Sequence, residues 1–249
     1  MPFLKLIRII FIFLKFRLNE IFHREVLPLW LKIVFFLSPF NLIPTNKKIG
    51  IRLAEALETA GPIFVKFGQL LSTRPDFLDG DIIKELQKVQ NNLTPFPSEE
   101  AIEIIEKDLG LPVDELFAEF NESPLAAASI AQVHEATLKS GEDVVVKVVR
   151  PNLEKKIKDD VSILKVIGKI ANTFDADARR LQLLEMIREY EYVITSEVDL
   201  KKEAGNTIQT AKFFENSNLL YVPKVYLDYS GSRTLTLEKI EGIPVTDLK

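Results

Sequence analysis

The sequence predicts an α+β protein in which helices come first and a small antiparallel sheet follows. Helical periodicity dominates the first 123 residues, and two β-rich hairpins separated by long helices fill most of the remainder. The chain has 249 residues, 47% hydrophobic and 27% charged, which excludes a disordered or collagen-like protein and allows one or two domains with real cores. The absence of cysteine and the presence of only two histidines exclude disulfide frameworks and thiolate sites and disfavour an imidazole-rich metal centre.

The N-terminal segment differs in charge from the rest of the chain. Residues 1–52 carry nine Lys/Arg and two Glu, net +7, and the remainder carries 23 basic and 34 acidic residues, net −11. Phe3 to Leu18 predicts a basic amphipathic helix, with Lys5, Arg8 and Lys15 in one sector. A second apolar stretch runs from Pro28 to Leu37. Neither stretch has the ~20 uninterrupted apolar residues that a spanning helix needs, and the interspersed charges do not fit a signal peptide.

Two interpretations of this segment are open. Its apolar groups can lie among the acyl chains of a bilayer interface while Lys and Arg meet anionic headgroups. Alternatively, the two stretches form an apolar helical pair that packs on the rest of the protein. Nucleic-acid binding is disfavoured, because the basic residues are interleaved with large aliphatic side chains and form no polar patch.

The middle of the chain predicts a helical scaffold. One helix spans Ile49 to Ala60. After a break at Gly61-Pro62, Pro62 suits the first position of a second helix, which continues from Ile63 to Thr73. Lys66 and Gln69 share one face of the second helix, for which a solvated polar face is the simplest interpretation. Gly68 lies inside that helix, where glycine costs roughly 1 kcal/mol relative to alanine, so we expect a close approach of another element there.

Residues 81–123 continue this scaffold. Ser98 is expected to cap a helix that ends at Gly110, and Asp114 to Phe120 is expected to make one further short turn. No residue in this stretch indicates chemistry.

A β-hairpin carries the most informative lysine. Ile130 to Leu138 and Asp143 to Val149 predict two strands joined by a turn, and Lys147 lies within a run of valines. A lysine there is costly unless it is paired or lies at a cleft; the alternative is an edge strand from which it reaches solvent. A small-residue turn, a returning strand and a lysine-bearing strand are typical of kinase-type folds, in which the lysine binds nucleotide phosphates and pairs with a helix glutamate.

The remaining elements are two helices and a second hairpin. The helices span Pro151 to Phe174 and about Ala178 to Phe214. On the second helix Asp199, Glu203 and Asn206 are expected to form one polar stripe, with Glu197 a turn earlier; solvated charges are the alternative. The hairpin pairs Tyr221–Tyr229 with Arg233–Ile240, after which Glu238 to Gly242 leaves the sheet and Pro244 to Asp247 starts another element.

Five stretches together resemble the UbiB family of atypical kinase-like proteins, whose bacterial members are associated with ubiquinone biosynthesis. They are GPIFVKFGQLLSTRPDFL, which contains the KxGQ motif, and PLAAASIAQVH, VVVKVVRP, EVDLKKEAGN and LEKIEGIPV. The resemblance covers essentially the whole chain. It implies a protein-kinase-like N-lobe over residues 124–249, preceded by a helical KxGQ extension over 46–123 and by membrane-contacting helices over 1–45, with the C-lobe absent.

The resemblance also implies an ATP site, with Mg²⁺ accompanying the nucleotide. Lys147 would bind the phosphates and pair with Glu203, and Glu238 and Ile240 would lie where the chain passes the adenine. An alanine-rich loop would cover the nucleotide, formed by Leu125, Ala126, Ala127, Ala128, Ser129, Ile130, Ala131, Gln132 and Val133. Lys66, Gly68 and Gln69 of KxGQ would fold over the site and meet Glu197 and Asp199 of the ExD motif. No metal ligand and no catalytic residue is assigned in this chain.

The implied function is that of an atypical kinase or ATPase supporting ubiquinone biosynthesis at the cytoplasmic face of the bacterial inner membrane. The sequence stops at Lys249, just after the expected hinge, and lacks the catalytic-loop and metal-binding motifs, so we expect no ATP turnover from this chain alone. The alternative is a non-enzymatic, pseudokinase-like, lipid-binding scaffold for quinone precursors or biosynthetic enzymes. The expected partners are a nucleotide, an anionic membrane surface or quinone-precursor lipids, and ubiquinone biosynthesis enzymes, but no nucleic acid.

Overall fold

A computed structural model describes residues 2–20, 29–76, 78–89, 94–174 and 176–243. The helices in chain order are α1 (Pro2–Lys15), α2 (Leu29–Phe36), α3 (Ile49–Ala60), α4 (Pro62–Ser72), α5 (Gly80–Gln87), α6 (Ser98–Leu109), α7 (Val113–Leu116), α8 (Leu153–Phe174), α9 (Ala176–Arg180), α10 (Leu183–Ser196) and α11 (Leu200–Phe213). The strands are β1 (Phe117–Phe120), β2 (Ala126–Ala127), β3 (Ala131–Leu138), β4 (Asp143–Val149) and β5 (Thr234–Glu238). Helices combined with one small antiparallel sheet confirm the predicted α+β class.

The chain forms two compact units. The helical unit comprises residues 1–91 and 155–193, and the sheet unit comprises residues 92–154 and 194–249. The division of the sequence into functional segments 1–45, 46–123 and 124–249 stays a prediction.

Helices α3, α4 and α5 pack together in the helical unit. The predicted helix Ile49–Ala60 is confirmed, and so is the start of the next helix at Pro62, which ends at Ser72. Gly68 lies where α4 meets α3, and a Cβ atom there would be 2.5 Å from Cδ1 of Leu57. The expected close approach at Gly68 is therefore present, and it is made by a side chain.

Helix α1 and the short turn after it pack on α3, where Ile12, Leu18 and Ala56 are all buried. The buried Arg52 of α3 donates from Nη1 to the carbonyl oxygens of Phe16 and Arg17, at 3.3 and 3.1 Å, just beyond the end of α1. A cation there complements the negative end of the helix dipole. None of the helices in the described ranges has the length and apolarity needed to cross a bilayer.

The sheet unit is built on the strand order β1-β3-β4-β5, with β2 also paired to β3 and every pairing antiparallel. The predicted hairpin of β3 and β4 is confirmed. Val144, Val146 and Val148 are fully buried on one sheet face. They belong to a core that includes Phe96, Ala101, Ile105, Leu116, Phe117, Ala136 and Leu138.

For residues 98–120, the expected cap at Ser98 is wrong, and the expected short turn forms only in its first half. Pro97 is the N-cap residue of α6, while Ser98 lies inside the first turn and its hydroxyl donates to the carbonyl oxygen of Glu122. The short helix α7 ends at Leu116, and the chain then forms β1, because Phe117 enters the core and β1 pairs with β3. Gly110 ends α6 with φ of 79°, as predicted.

The predicted helix from Ala178 to Phe214 is also wrong, because the chain is interrupted twice. Gln182 has φ of 58°, and residues 197–199 separate α10 from α11. Asp199 is therefore the N-cap residue of α11 and does not continue a helical stripe with Glu203 and Asn206.

The second predicted hairpin forms in part. β5 is a strand, but Tyr221–Tyr229 contributes a single bridge, Val225 with Leu237, and a short 3₁₀ turn at Leu227–Tyr229. The carboxylate of Glu238 accepts from the amide of Lys224 at 3.0 Å and from the hydroxyl of Tyr221 at 2.6 Å, so side-chain contacts replace part of the ladder. Pro28, Phe77 and the element predicted at Pro244–Asp247 lie outside the described residues.

Candidate nucleotide-binding site

Lys147 lies on an interior strand of the sheet unit. Strand β4 is paired on both sides, so the alternative of an edge strand is wrong. In the register of the sheet, Ala126, Val133, Lys147 and Leu235 form one cross-strand row. Since residues paired across strands point to the same face, Lys147 lies opposite the buried Val146 and Val148 and shares its face with apolar side chains.

Glu203 of α11 is the partner of Lys147. The Nζ atom of Lys147 donates to both carboxylate oxygens, at 2.7 Å to Oε1 and 2.8 Å to Oε2. The two residues are 56 positions apart in the sequence. The structure therefore brings together the lysine and glutamate that the sequence resemblance paired.

This ion pair is partly exposed, with 31% of the lysine side chain and 39% of the glutamate side chain accessible. Exposed ion pairs contribute about 0–1 kcal/mol to folding, which offers little reason to place a lysine among the valines of an interior strand. An ammonium group has three N–H donors. The two directed at Glu203 leave a third that can donate to an anionic oxygen above the sheet.

The start of α11 positions Glu203. The side chain of Asp199 accepts from the amide of Lys201 at 3.2 Å, which satisfies one of the free donors of the first turn. Leu200 is fully buried, and its amide donates to the carbonyl oxygen of Ser232 at 2.9 Å. Glu203 is thus held in the first turn, where the helix dipole favours a negative charge.

The alanine-rich segment is a tight turn between β2 and β3. The amide of Ala128 donates to the carbonyl oxygen of Ala131 at 2.8 Å, and Ser129 within the turn is buried. Ala126 and Ala127 pair with Val133 and Gln132. Because alanine adds only a methyl group, the backbone of this turn can approach a bound group closely.

Arg150 stabilises this turn through hydrogen bonds, a role that the sequence did not predict. Its Nε donates to the carbonyl oxygen of Ala128 at 2.9 Å and its Nη2 to that of Thr94 at 3.0 Å. Its guanidinium carbon lies 5.6 Å from the ring centroid of Phe96. Burial lowers the pKa of Arg150 from its ordinary value. The only signal in the sequence was its position directly after the buried strand.

Two proposed site residues direct their side chains to the other sheet face. Gln132 pairs with Val148 and is fully buried, and Glu238 pairs with Val144. A nucleotide on the Lys147 face could meet these two residues only through their backbone. Leu125 and Ile240 are 58% and 53% exposed.

A second ion pair lies on the Lys147 face. Glu135 lies two residues after Val133 on β3, pairs with Val145, and accepts from Nζ of Lys239 at 2.9 Å. The hydrogen bond to Lys239 lowers the pKa of Glu135, and the hydrogen bond to Glu135 raises the pKa of Lys239. Sequence reasoning missed this pair, because its members are separated by a long stretch of chain.

The structure places the KxGQ residues on α4 of the helical unit. Gln69 donates from Nε2 to the carbonyl oxygen of Val89 at 3.1 Å, and Gly68 packs against Leu57. Glu197 and Asp199 lie in the sheet unit, in the turn before α11. The meeting of Lys66 and Gln69 with these two acidic residues stays a prediction. Among the described residues, no group of three or more His, Asp or Glu is arranged to hold a metal ion.

Comparisons with known proteins also indicate a kinase-like domain. The family model described as the ABC1 atypical kinase-like domain matches residues 88–249. The matched range contains Lys147, Glu203 and the alanine-rich turn.

Curated relatives match along nearly the whole chain. Proteins named "Probable protein kinase UbiB" are 46% identical over 253 residues in Pseudomonas aeruginosa, 45% over 245 in Marinobacter nauticus and 44% over 248 in Azotobacter vinelandii. These alignments cover 100%, 98% and 98% of this chain and 48%, 45% and 46% of the relatives. The chain thus spans about half the length of the curated relatives it matches, and the resemblance to UbiB is confirmed.

A solved structure supports the fold. The Mycobacterium tuberculosis protein Rv3197, determined in complex with erythromycin, superposes with a TM-score of 0.53 at 24% sequence identity. The match covers 78% of this chain and 51% of that protein.

Proposed function

Because this chain belongs to the ABC1 atypical kinase-like family, we propose that its sheet unit binds ATP, with Lys147 contacting the phosphates. The observation that carries the proposal is that Lys147, on an interior strand, forms an ion pair with Glu203 of helix α11. A lysine held by a helix glutamate in this way has its ammonium fixed in direction. It can therefore donate to a phosphate oxygen without first being ordered.

The alanine-rich turn supports the same proposal. It joins β2 to β3, and Ala126 of β2 and Lys147 of β4 both pair with Val133 of β3. A nucleotide whose phosphates lie at Lys147 would have this turn along one side. We propose that Mg²⁺ accompanies the nucleotide and neutralises part of its phosphate charge.

The test is the affinity of this chain for ATP with magnesium, measured by titration calorimetry. Lys147→Ala is expected to raise the Kd about tenfold or more, because a charge-assisted hydrogen bond to phosphate is lost. Lys139→Ala is the matched control, since Lys139 is an exposed lysine in the turn that follows β3, and it should leave the Kd unchanged. Equal affinities for the Lys147 variant and the native chain would refute the assignment.

We propose further that the whole protein is an atypical kinase or ATPase that supports ubiquinone biosynthesis, as the similarity to proteins named UbiB suggests. The test is to extend the chain to the length of these relatives and express it in a bacterium that lacks its own UbiB. Restored ubiquinone content that is lost with Lys147→Ala would support the proposal. Restoration that is equal with and without Lys147 would argue for a scaffold role that needs no nucleotide.

A second candidate function is binding to a lipid surface, such as the cytoplasmic face of an inner membrane. Helix α1 exposes Leu4, Ile7 and Phe11, by 64%, 47% and 53%. Its Lys5 instead pairs with Asp159 and Asp160, at 3.3 and 3.2 Å. Exposed apolar side chains and a lysine already paired with two aspartates favour contact with acyl chains or quinone precursors over a purely electrostatic contact with headgroups.

Vesicle co-sedimentation tests this second function. Replacing both Leu4 and Ile7 by Gln should weaken binding to vesicles that contain phosphatidylglycerol. The matched control is Leu219→Gln, which removes an apolar side chain that is 92% exposed in the sheet unit. Binding that survives the double substitution, or that Leu219→Gln weakens equally, would exclude α1 as the lipid-contacting element.

A further inference from the structure

The turn that precedes β5 is held by one carboxylate from α6. Asp108 accepts through Oδ1 from the amide and the hydroxyl of Ser232, at 3.2 and 3.0 Å, and through Oδ2 from the amide of Arg233 at 2.7 Å. Asp108 is 124 residues earlier in the chain than Ser232. Three donors on one carboxylate fix this turn relative to α6.

Gly231 makes this contact possible. A Cβ atom at this position would overlap the carboxylate of Asp108. The backbone of Gly231 has no unusual positive φ, so glycine is required here for space and not for conformation. The turn and the carboxylate thus fit together only while position 231 has no side chain.

The same turn makes hydrogen bonds to residues close in sequence to each partner of the candidate ion pair. The carbonyl oxygen of Ser232 accepts from the amide of Leu200 at 2.9 Å, three residues before Glu203. The carbonyl oxygen of Arg233 accepts from the amide of Val149 at 3.0 Å, two residues after Lys147. One turn therefore joins the first residue of α11 to the end of β4.

We propose that Asp108 is a positioning residue that sets the geometry of Lys147 and Glu203 through this turn, and so sets the affinity for nucleotide phosphates. This inference rests on the proposed ATP binding. Asp108 itself touches neither residue of the pair. It acts through the carbonyl groups of Ser232 and Arg233, which accept from the amides of Leu200 and Val149. A change in the Asp108 carboxylate would displace both carbonyl groups together.

The test is a double-mutant cycle with two readouts. Asp108→Asn places an amide N–H₂ against backbone donors, and Gly231→Ala pushes the carboxylate away. Each is combined with the native Glu203 and with Glu203→Gln. The Kd for ATP with magnesium and the hydrogen exchange rate of the Leu200 amide are measured for every chain. Glu103→Gln, a neutralised exposed carboxylate on the same helix, is the matched control.

With native Glu203, Asp108→Asn and Gly231→Ala are each expected to raise the Kd roughly three- to thirtyfold. With Glu203→Gln neither should change it further, because the ion pair through which they act is already broken. The Leu200 amide should exchange faster in both backgrounds. Glu103→Gln should change neither readout.

Two results would overturn the inference. The first is an equal rise in Kd in both Glu203 backgrounds, which would show a general loss of stability. The second is unchanged protection of the Leu200 amide in Asp108→Asn. A native chain that binds no ATP, or that binds it equally well as Lys147→Ala, would instead refute the proposed function, and hydrogen exchange at Leu200 would then decide alone whether Asp108 holds the start of α11.

Discussion

His134 is completely buried and uses both ring nitrogens in hydrogen bonds. Its Nδ1 donates to the carbonyl oxygen of Asn121 at 2.9 Å, and its Nε2 accepts from the amide nitrogen of Gln132 at 2.9 Å. Gln132 in turn accepts from the amide of Phe96 at 3.1 Å. This arrangement requires one neutral tautomer, because a proton on Nε2 would meet the amide N–H₂ of Gln132.

Burial lowers the pKa of His134 below its ordinary value of 6.5, and the hydrogen bond to Asn121 opposes this only in part. The unfolded chain takes up a proton near pH 6.5, whereas the folded chain resists it. His134 therefore contributes stability above about pH 6.5, and this contribution is lost as the pH falls towards the pKa of the folded state.

We expect His134→Phe to lower the free energy of unfolding at neutral pH by about 1–3 kcal/mol, because the buried amide of Gln132 loses its acceptor. The difference from the native chain should shrink below pH 6.5. Urea denaturation across this pH range measures the difference in the free energy of unfolding. His23, the other histidine of the sequence, is present in both chains, so its titration contributes equally to both. An NMR titration that places the His134 pKa at or above 6.5 would contradict the account.

The sequence predicts some of these residues and not others. Lys147 could be predicted because its neighbours are all valines, so a charge there requires an explanation. The roles of Gln132 and Arg150 could not, because their partners Phe96 and Thr94 come from a loop far back in the chain. A polar side chain in a strand does not show which distant backbone group it will meet.

At the scale of elements, the beginning of α11 is the critical boundary. Asp199 caps the helix through the amide of Lys201, and the buried Leu200 and Ala204 fix one of its faces. The helix has to begin at this point for Glu203, one turn into it, to meet Lys147.

Asp199→Ala is expected to destabilise the sheet unit by about 0.5–2 kcal/mol, the usual cost of losing an N-cap. Asp199→Asn should retain most of the stability, because its side-chain oxygen can still accept from Lys201. Chemical denaturation monitored by circular dichroism measures both variants. If asparagine were as harmful as alanine, the negative charge and not the capping hydrogen bond would be what matters.

The elements that depend on local signals were predictable. The hairpin of β3 and β4 follows from valine-rich strands around a short turn, and Gly110 ends α6 as expected. The break before α11 and the strand β1 were not predictable, because each depends on a distant partner: Ser232 for the amide of Leu200, and β3 for β1.

For the molecule as a whole, the α+β class follows from the change in periodicity near residue 124, although the first strand, β1, lies before that point. The family resemblance also predicts that Lys147 pairs with Glu203, and the two side chains are in contact in the sheet unit. Hydrophobic patterning does not determine which sectors of α1 face outwards. There Lys5 forms ion pairs with two aspartates from a distant part of the chain.

If Lys147 donates to the phosphates of a bound nucleotide, ATP should shield its ammonium group from chemical modification. The acetylation rate of each lysine, followed by mass spectrometry with and without ATP and magnesium, measures this directly. We predict that ATP slows acetylation of Lys147 several-fold and leaves Lys139 unchanged, because only the former would be covered by phosphate. Acetylation of Lys147 at the same rate with and without saturating ATP would contradict the account.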